Sequence, residues 1–288
     1  DASLHIQPPL CEIPGPAPAH PCPAGVDLQQ PTLLCLRGPG LQLLGALPAR
    51  GSGCHRKHHP SARWCWSGPH PALLGAGLPV KGIPVEDLRS AGVKVVPIVS
   101  SARAARLIFS SWLKRYEDIP DAVVVEGPKA GGHLGFKENQ IDDPDFALEC
   151  ILPDVIDVIK GYEDKFRRNI PVIAAGGVYT GTDIYNLLKL GASGVQMGTR
   201  FVATHECDAD IRFKESYVAC REDDIEIIKS PVGMPGRAIR SSFLKDVSSG
   251  KKMKIKCAWK CLKSCDIKTA RYCISLALDN ARKGIMDK

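Results

Sequence analysis

From residue 71 onward, short apolar runs alternate with amphipathic segments, one strand and one helix about every 25–30 residues. "ALLGAG" (72–77) is an apolar run ending in glycine. "IPVEDLRSAG" (83–92) reads as a proline-started helix stopped by Gly92. "VKVVPIV" (93–99) is a strand, and "SARAARLIFSSWLKR" (101–115) a helix with serines suited to its N-cap. "DAVVVEG" (121–127) is a strand, and "DFALECILPDVIDVIKGY" (145–162) a helix broken at Pro153. "IPVIAAGG" (170–177) is a strand, "TGTDIYNLLKLG" (180–191) a helix ended by Gly191, and "ASGVQMGTRF" (192–201) a strand with its following turn.

Repeated βα units build a parallel sheet, since parallel neighbours need a long crossover. The strands are apolar without alternation, as expected when both faces are covered. Five are visible. An open doubly wound sheet needs about five or six. A TIM-type (β/α)8 barrel needs eight, so three would have to come from residues 1–70. The alternation alone leaves both architectures open.

Residues 1–70 have a different character. They hold 12 of the 23 prolines, 6 of the 8 histidines and 5 of the 12 cysteines, and no Phe, Tyr or Asn. "PPLCEIPGPAPAHPCPAG" is incompatible with regular structure, because proline removes donors and blocks helix and sheet interiors. Only "LQLLGAL" (41–47) is apolar enough for a short element. Three readings compete for this segment: a disordered proline-rich leader, a His/Cys metal-binding tract of no standard spacing, and a frame-shifted translation of a GC-rich gene. The chain therefore divides into an irregular Pro/Cys/His-rich segment, 1–70, and a regular βα region, 71–288, with a basic Cys-containing tail.

The apolar fraction of 44% and charged fraction of 24% are those of a globular protein. No run of 18 apolar residues occurs, so no transmembrane helix is expected. The first residues lack a basic flank followed by an apolar core, so a cytoplasmic location without membrane contact is expected. The net charge of +7 concentrates in "GKKMKIKCAWKCLKSCDIK". With no nucleic-acid motif beside it, this run reads as a solvated face rather than a nucleic-acid surface, and an acidic carrier protein is the alternative partner. Cys257, Cys261 and Cys265 recur every fourth residue, with Cys273 beyond them. Helical spacing would put the first three on one face, where a metal or iron–sulfur cluster is conceivable. Without a CxxC pair or nearby histidine, reduced thiols are the preferred reading.

The chemistry concentrates at glycine turns. Gly127, Gly131 and Gly132 follow one strand, Gly176 and Gly177 the next, and Gly198 the next. In parallel α/β architectures ligands bind at the carboxyl ends of the strands. Glycine there lets backbone N–H groups approach an anion. "AAGGVYTGTDI" followed by "QMGTRF", with Thr199 and Arg200, points to a phosphate cradle. No G-x-G-x-x-G follows a strand, which argues against a Rossmann site. His133 closes the turn "EGPKAGGH" at that same face and titrates near neutrality, so it is the candidate catalytic residue.

"VVVEGPKAGGHLGF", "IPVIAAGGVYTGTDIYNLLKLGASGVQMGTRFVAT" and "SPVGMPGRAIRSSFL" together resemble the nitronate monooxygenase family, formerly called 2-nitropropane dioxygenases. The related flavin-dependent enoyl-acyl-carrier-protein reductases share that core. The resemblance spans about residues 71–285 and implies a TIM barrel that binds FMN. It implies that His133 is the active-site histidine and that Gly176, Gly177, Gly198 and Thr199 hold the FMN phosphate. It places Ala76 and Gly77 beside the flavin, with Glu126, Lys129, Gly131 and Gly132 lining the pocket. The implied reaction is oxidation of an alkyl nitronate or nitroalkane with O2. The alternatives are NAD(P)H-dependent enoyl reduction and an inactive partial barrel or basic Cys-rich binding module. The family's opening strand with its "QGGM"-like turn is not readable in residues 1–70, so the barrel is expected to be incomplete or irregular at its N-terminal end.

Overall fold

A computed structural model describes residues 33–36, 43–44, 71–75, 82–205, 207–231, 233–255 and 267–287. Most of segment 1–70, together with Ala76, Gly77, Cys257, Cys261 and Cys265, lies outside the described residues. Strands β1 (Leu33–Leu36), β2 (Leu43–Leu44), β3 (Ala72–Leu74), β4 (Val95–Val99), β5 (Val123–Glu126), β7 (Val172–Ala175) and β8 (Gly194–Met197) form one sheet, in the order β2-β1-β8-β7-β5-β4-β3. The four joins from β3 to β8 are parallel.

β1 pairs antiparallel with both β2 and β8. Among the described residues, two strands from residues 1–70 thus reach the sheet where three barrel strands are needed. An antiparallel neighbour does not fill a barrel position, because every barrel strand runs parallel to the next. The irregularity expected at the N-terminal end falls here.

The helices form where their sequence signals lie. Helix α1 (Val85–Ser90) starts after Pro84, and Gly92 follows it at φ +68°. In α2 (Ala102–Tyr116) the Ser101 side chain accepts the Ala104 N–H, and Glu117 ends the helix in the left-handed region at φ +51°. α3 (Leu148–Phe166) runs unbroken through Pro153, contrary to the sequence expectation. Proline there removes one backbone donor near the helix start. The burial of Ile151, Leu152, Val155, Ile156, Val158 and Ile159 on the sheet outweighs that loss. α4 (Gly181–Lys189) is capped at Thr180, and Gly191 follows it at φ +106°.

Alternation along the strands separates two apolar layers. Val95, Val99, Val123, Val125, Val172, Ala174 and Val195 face outward into one core with Ile108, Phe109 and Trp112 of α2 and Leu152, Val155 and Ile159 of α3. Leu73, Val96, Ile98, Val124, Ile173 and Ala175 form a smaller inner cluster on the opposite face. Ile108, Phe109 and Trp112 are fully buried. Each such side chain contributes about 2–3 kcal/mol.

The pole at the amino ends of the strands is closed by polar contacts. Arg89 of α1 donates to Asp118 at 2.6 Å, to Asp121, and to the Ile119 carbonyl at 2.9 Å. Arg168, beyond α3, donates to the Ile119 and Pro120 carbonyls at 2.9 and 2.6 Å. Burial alone would raise the Asp121 pKa, but Arg89 and the Val95 N–H hold it below the usual range.

A second, antiparallel sheet has the order β6-β10-β9, from β6 (Gly132–His133), β9 (Ile225–Lys229) and β10 (Pro235–Ile239). The chain reaches it through the four-residue α5 (Thr199–Val202) and α6 (Ile211–Ala219). α7 (Ser242–Ser248) and α8 (Ile274–Arg282) follow. Phe243, Leu244, Val247 and Tyr272 form a third cluster beneath this sheet.

Candidate active site at the carboxyl ends of the strands

β5 ends at Glu126, whose register partner on β7 is Ala175, whose partner on β8 is Gln196. These residues share the parity of Val124 and Ile173, so the row continues the inner layer one step toward the strand ends. Ala175, itself buried, sets a small side chain between two longer polar ones. Burial pushes the Glu126 carboxyl up to about 7. The Gln196 Oε1 is buried with no hydrogen-bond partner among the described residues. A buried acceptor left in that state costs about 1–3 kcal/mol. A ligand presenting an N–H over Ala175 would remove that cost.

The turn after β5 packs against the turn after β7. Gly127 N–H donates to the Ala175 carbonyl at 2.9 Å, and Ala130 N–H to the Gly127 carbonyl at 3.2 Å. Gly176 sits at φ +90°, and a Cβ there would lie 2.8 Å from the Gly127 oxygen. Close backbone approach between two loops is therefore what requires this glycine. Gly177 lies under the Lys129 stem, where an added Cβ would come within 3.0 Å of it. Gly177, Lys129 and Thr199 are exposed and Gly198 half-exposed. The Arg200 guanidinium stacks over the half-exposed Tyr179 ring at 4.6 Å, joining the turns after β7 and β8. At the start of α4, the Asp183 carboxylate accepts the Thr180 and Tyr179 N–H groups at 2.7 and 3.0 Å. The Thr180 N–H first, then its hydroxyl and the Tyr179 N–H, hold the Asp183 pKa low. Those two donors are thereby withdrawn from any anion at this end of the helix.

His133 enters the second sheet opposite Gly236 of β10, where an added Cβ would meet the Gly132 carbonyl oxygen at 3.3 Å and the Ile228 side chain at 3.6 Å. Its Nε2 is 2.7 Å from the Ser230 Oγ. Ser230 is 4% exposed, a buried polar residue at the end of β9. Burial lowers the His133 pKa, so the imidazole is neutral at pH 7. Alternation places His133 and Gly236 on the face that carries Ile228 and Ala238, against the third cluster. Arg237, opposite Gly132, faces the other way with Ile227, toward the main core. Its Nη2 donates to the Pro128 carbonyl at 3.2 Å. The histidine thus stands at the seam between the parallel sheet and the C-terminal cluster.

Glu126, Lys129, Gly131, Gly132, His133, Gly176, Gly177, Gly198 and Thr199 all fall at the carboxyl ends of β5, β7 and β8, as the sequence predicts. Ala76 and Gly77 lie outside the described residues. Of the tail cysteines only Cys273 is described, half-buried at the start of α8. No group of three or more metal-ligating side chains occurs among the described residues. Sequence reasoning missed Ser230, Gln196 and Arg237. Gln196 was findable by parity within "GVQM". Ser230 and Arg237 lie in "SPVGMPGR", but their proximity to His133 comes from strand pairing.

Among the described residues no helix is long and apolar enough to cross a membrane. A Rhodococcus jostii protein named (3aS,4S,5R,7aS)-5-hydroxy-7a-methyl-1-oxo-octahydro-1H-indene-4-carboxyl-CoA dehydrogenase is 32% identical over 170 residues, 59% of this chain and 41% of its own. A Staphylococcus aureus protein named "Probable nitronate monooxygenase" is 30% identical over 173 residues, 60% of this chain and 44% of its own. The solved structure of FabK from Thermotoga maritima aligns with a TM-score of 0.48 and 32% identity, over 63% of this chain and 49% of that one. The chain thus spans less than half the length of the curated relatives it matches. The profile of the family described as nitronate monooxygenase matches residues 65–287. The parallel arc β3-β4-β5-β7-β8 is accordingly part of a TIM-type (β/α)8 barrel, and this chain belongs to the nitronate monooxygenase family.

Proposed function

We propose that the chain is a flavin oxidoreductase that binds FMN over the Glu126–Ala175–Gln196 row and oxidises alkyl nitronates with O2. The supporting observation is the pairing of a buried, unsatisfied Gln196 acceptor with a buried Glu126 carboxyl across the small Ala175. A heterocycle edge carrying both N–H and C=O groups complements that row. The exposed backbone of Gly177 and Thr199 and the Thr199 hydroxyl would hold the phosphate, with Lys129 and Arg200 supplying positive charge beside it.

Bound FMN would supply electron acceptance from the substrate and electron delivery to O2. The protein side chains do the rest. His133 is neutral at pH 7 because burial disfavours its charged form. One ring nitrogen is tied to Ser230, which leaves the other to take a proton from a neutral nitroalkane. A nitronate needs no such transfer, and for it the imidazole serves as a hydrogen-bonding group that orients the anion. The tie to Ser230 fixes the ring plane in both cases.

The experiment is to purify the chain and measure flavin absorbance and nitronate-dependent O2 uptake. Colourless protein that FMN does not stabilise against heat overturns the reading, because a ligand specific for the folded state raises its stability. A second reading, NAD(P)H-dependent reduction of an enoyl thioester, is favoured by the CoA dehydrogenase name of the Rhodococcus relative and by the cationic, aromatic rim of Lys129, Arg200 and Tyr179. NADH oxidation driven by an enoyl thioester, without nitronate-dependent O2 uptake, would select it.

A further inference from the structure

We propose that the lysine-rich segment 251–271 is an interfacial anchor that lays the protein against an anionic lipid surface. It carries seven lysines and Arg271 against the single acid Asp266, a net +7 that equals the charge of the whole chain. The rest of the protein is neutral in sum. Lys251, Lys252, Lys254, Lys268 and Arg271 are described, and all five are exposed. Two stretches of chain bring them together. The Met253 N–H donates to the Arg271 carbonyl at 2.8 Å, and the Lys252 ammonium donates to the Lys268 carbonyl. Met253 and Tyr272 root both stretches in the third cluster, and the Arg271 Nη1 donates to the Val247 carbonyl at 3.1 Å. Asp246, 2.5 Å from the Lys251 Nζ, and Asp266 are the acids that the sequence supplies between Arg240 and Asp279. Like charges gathered this way repel one another, and an opposing anionic surface removes that cost.

The residue types select lipid among the polyanions. Arginine, with its planar fork, is the side chain that pairs phosphates and carboxylates at specific nucleic-acid and protein contacts, and lysine is depleted from protein interfaces. Here lysine outnumbers arginine seven to one. Its compact, hydrated charge suits a diffuse anionic surface, where each lysine adds a similar increment of attraction. Apolar residues are interleaved with the cations, Met253 and Ile255 in the first stretch and Ile267 in the second. Ile267 is 46% exposed beside the exposed Lys268. Trp259 and Leu262 stand between the two stretches in the sequence. Lysines interleaved with Ile, Trp and Leu match the boundary between headgroups and acyl chains. The contact lies on the bilayer and does not span it.

The test is co-sedimentation of the full chain with phosphatidylcholine vesicles containing about one-third phosphatidylglycerol, against vesicles of phosphatidylcholine alone. The protein should sediment with the anionic vesicles at about 0.1 M salt and be released at about 0.5 M, where screening shortens the reach of its charges. Lys251→Gln, Lys252→Gln, Lys254→Gln and Lys268→Gln combined should weaken binding about a hundredfold or more. Ile267→Ser should weaken it about threefold. Should the combined variant misfold, Lys254→Glu alone carries the test, with a loss of about tenfold. The proposal is overturned if the wild type ignores anionic vesicles, since the segment is then a solvated face. It is overturned equally if neutral vesicles bind as well as anionic ones, or if the lysine variants bind like the wild type. Tighter binding to polyglutamate or duplex DNA than to the anionic vesicles at the same salt also overturns it, because the segment would then dock a protein or a nucleic acid.

Discussion

His133 Nε2 and Ser230 Oγ lie 2.7 Å apart across 97 residues of sequence. One residue closes the β5 turn and the other ends β9, so the pairing exists only once the second sheet has formed. Replacing His133 with Ala should leave FMN bound and lower turnover by about 10²–10⁴-fold, the usual range for a lost acid–base group. Ser230→Ala should cost less, about tenfold, and Ser230→Thr should restore part of it. Steady-state kinetics with flavin content measured in parallel checks both, and full activity in His133→Ala would demote the residue to a loop position.

The same histidine fixes an acid limit. Burial lowers its folded pKa below the ordinary imidazole value of 6.5, so the neutral form persists as pH falls through that value. The kcat/KM profile should stay flat through pH 6.5 and decline only below it. The unfolded chain binds the proton first, so His133 also costs folding stability as pH drops from 6.5 toward its folded pKa.

Glu126 titrates in the opposite sense. Its carboxyl is raised from 4.5 to about 7, so its contribution to stability is present below 4.5 and lost as pH rises through 7. The difference corresponds to about 3 kcal/mol. Without flavin, Glu126→Gln should match the wild type near pH 4 and melt several degrees higher at pH 8. Thermal unfolding at the two pH values decides it, and equal gains at both would mean that the carboxyl is ionised at no cost.

Gly176→Ala combines a left-handed φ of +90° with a Cβ 2.8 Å from the Gly127 oxygen. The three nearest atoms, Gly127 O and N and Ala130 N, are all backbone, so none yields cheaply. A loss of about 3 kcal/mol is expected, together with weaker flavin retention. Gly132→Ala, at φ +78° with open space around it, should cost about 1–2 kcal/mol from the backbone alone. Chemical denaturation of the pair separates strain from collision.

At the other pole, Arg89→Ala removes the guanidinium from Asp118 and Asp121, leaving Asp121 with Lys94 at 3.5 Å and the Val95 N–H at 2.7 Å. A loss of about 2 kcal/mol is expected with the flavin spectrum of the folded protein unchanged. Because Asp121 is held low, this contribution is present above its ordinary value of 3.8 and fades as pH falls through the folded pKa. A destabilisation that persists undiminished at pH 2–3 would refute the ion-pair origin.

The parallel core was legible because its signals are local. Apolar runs such as "VKVVPIV" and "DAVVVEG" and stops such as Gly92 and Gly191 act within a few residues. Pro153 misled because its cost is one donor, while the burial that overrides it comes from strands distant in sequence. The site was half legible. Glycine turns mark where loops approach one another, and they placed His133 and Gly176 correctly at the strand ends. Gln196, Ser230 and Arg237 carry no local signature. Their significance lies in parity across a sheet and in pairing between strands nearly a hundred residues apart.

The arginine clamp on residues 118–121 has a consequence for the opposite end of the sheet. Cohesion at that end rests on Arg89 and Arg168, while every candidate reactive group stands at the opposite tips of the same strands. Substitutions in the reactive turns therefore leave the clamp intact. A substitution in those turns is then felt through its own backbone strain or collision, as at Gly176, and not through loss of the contacts that hold the far end together.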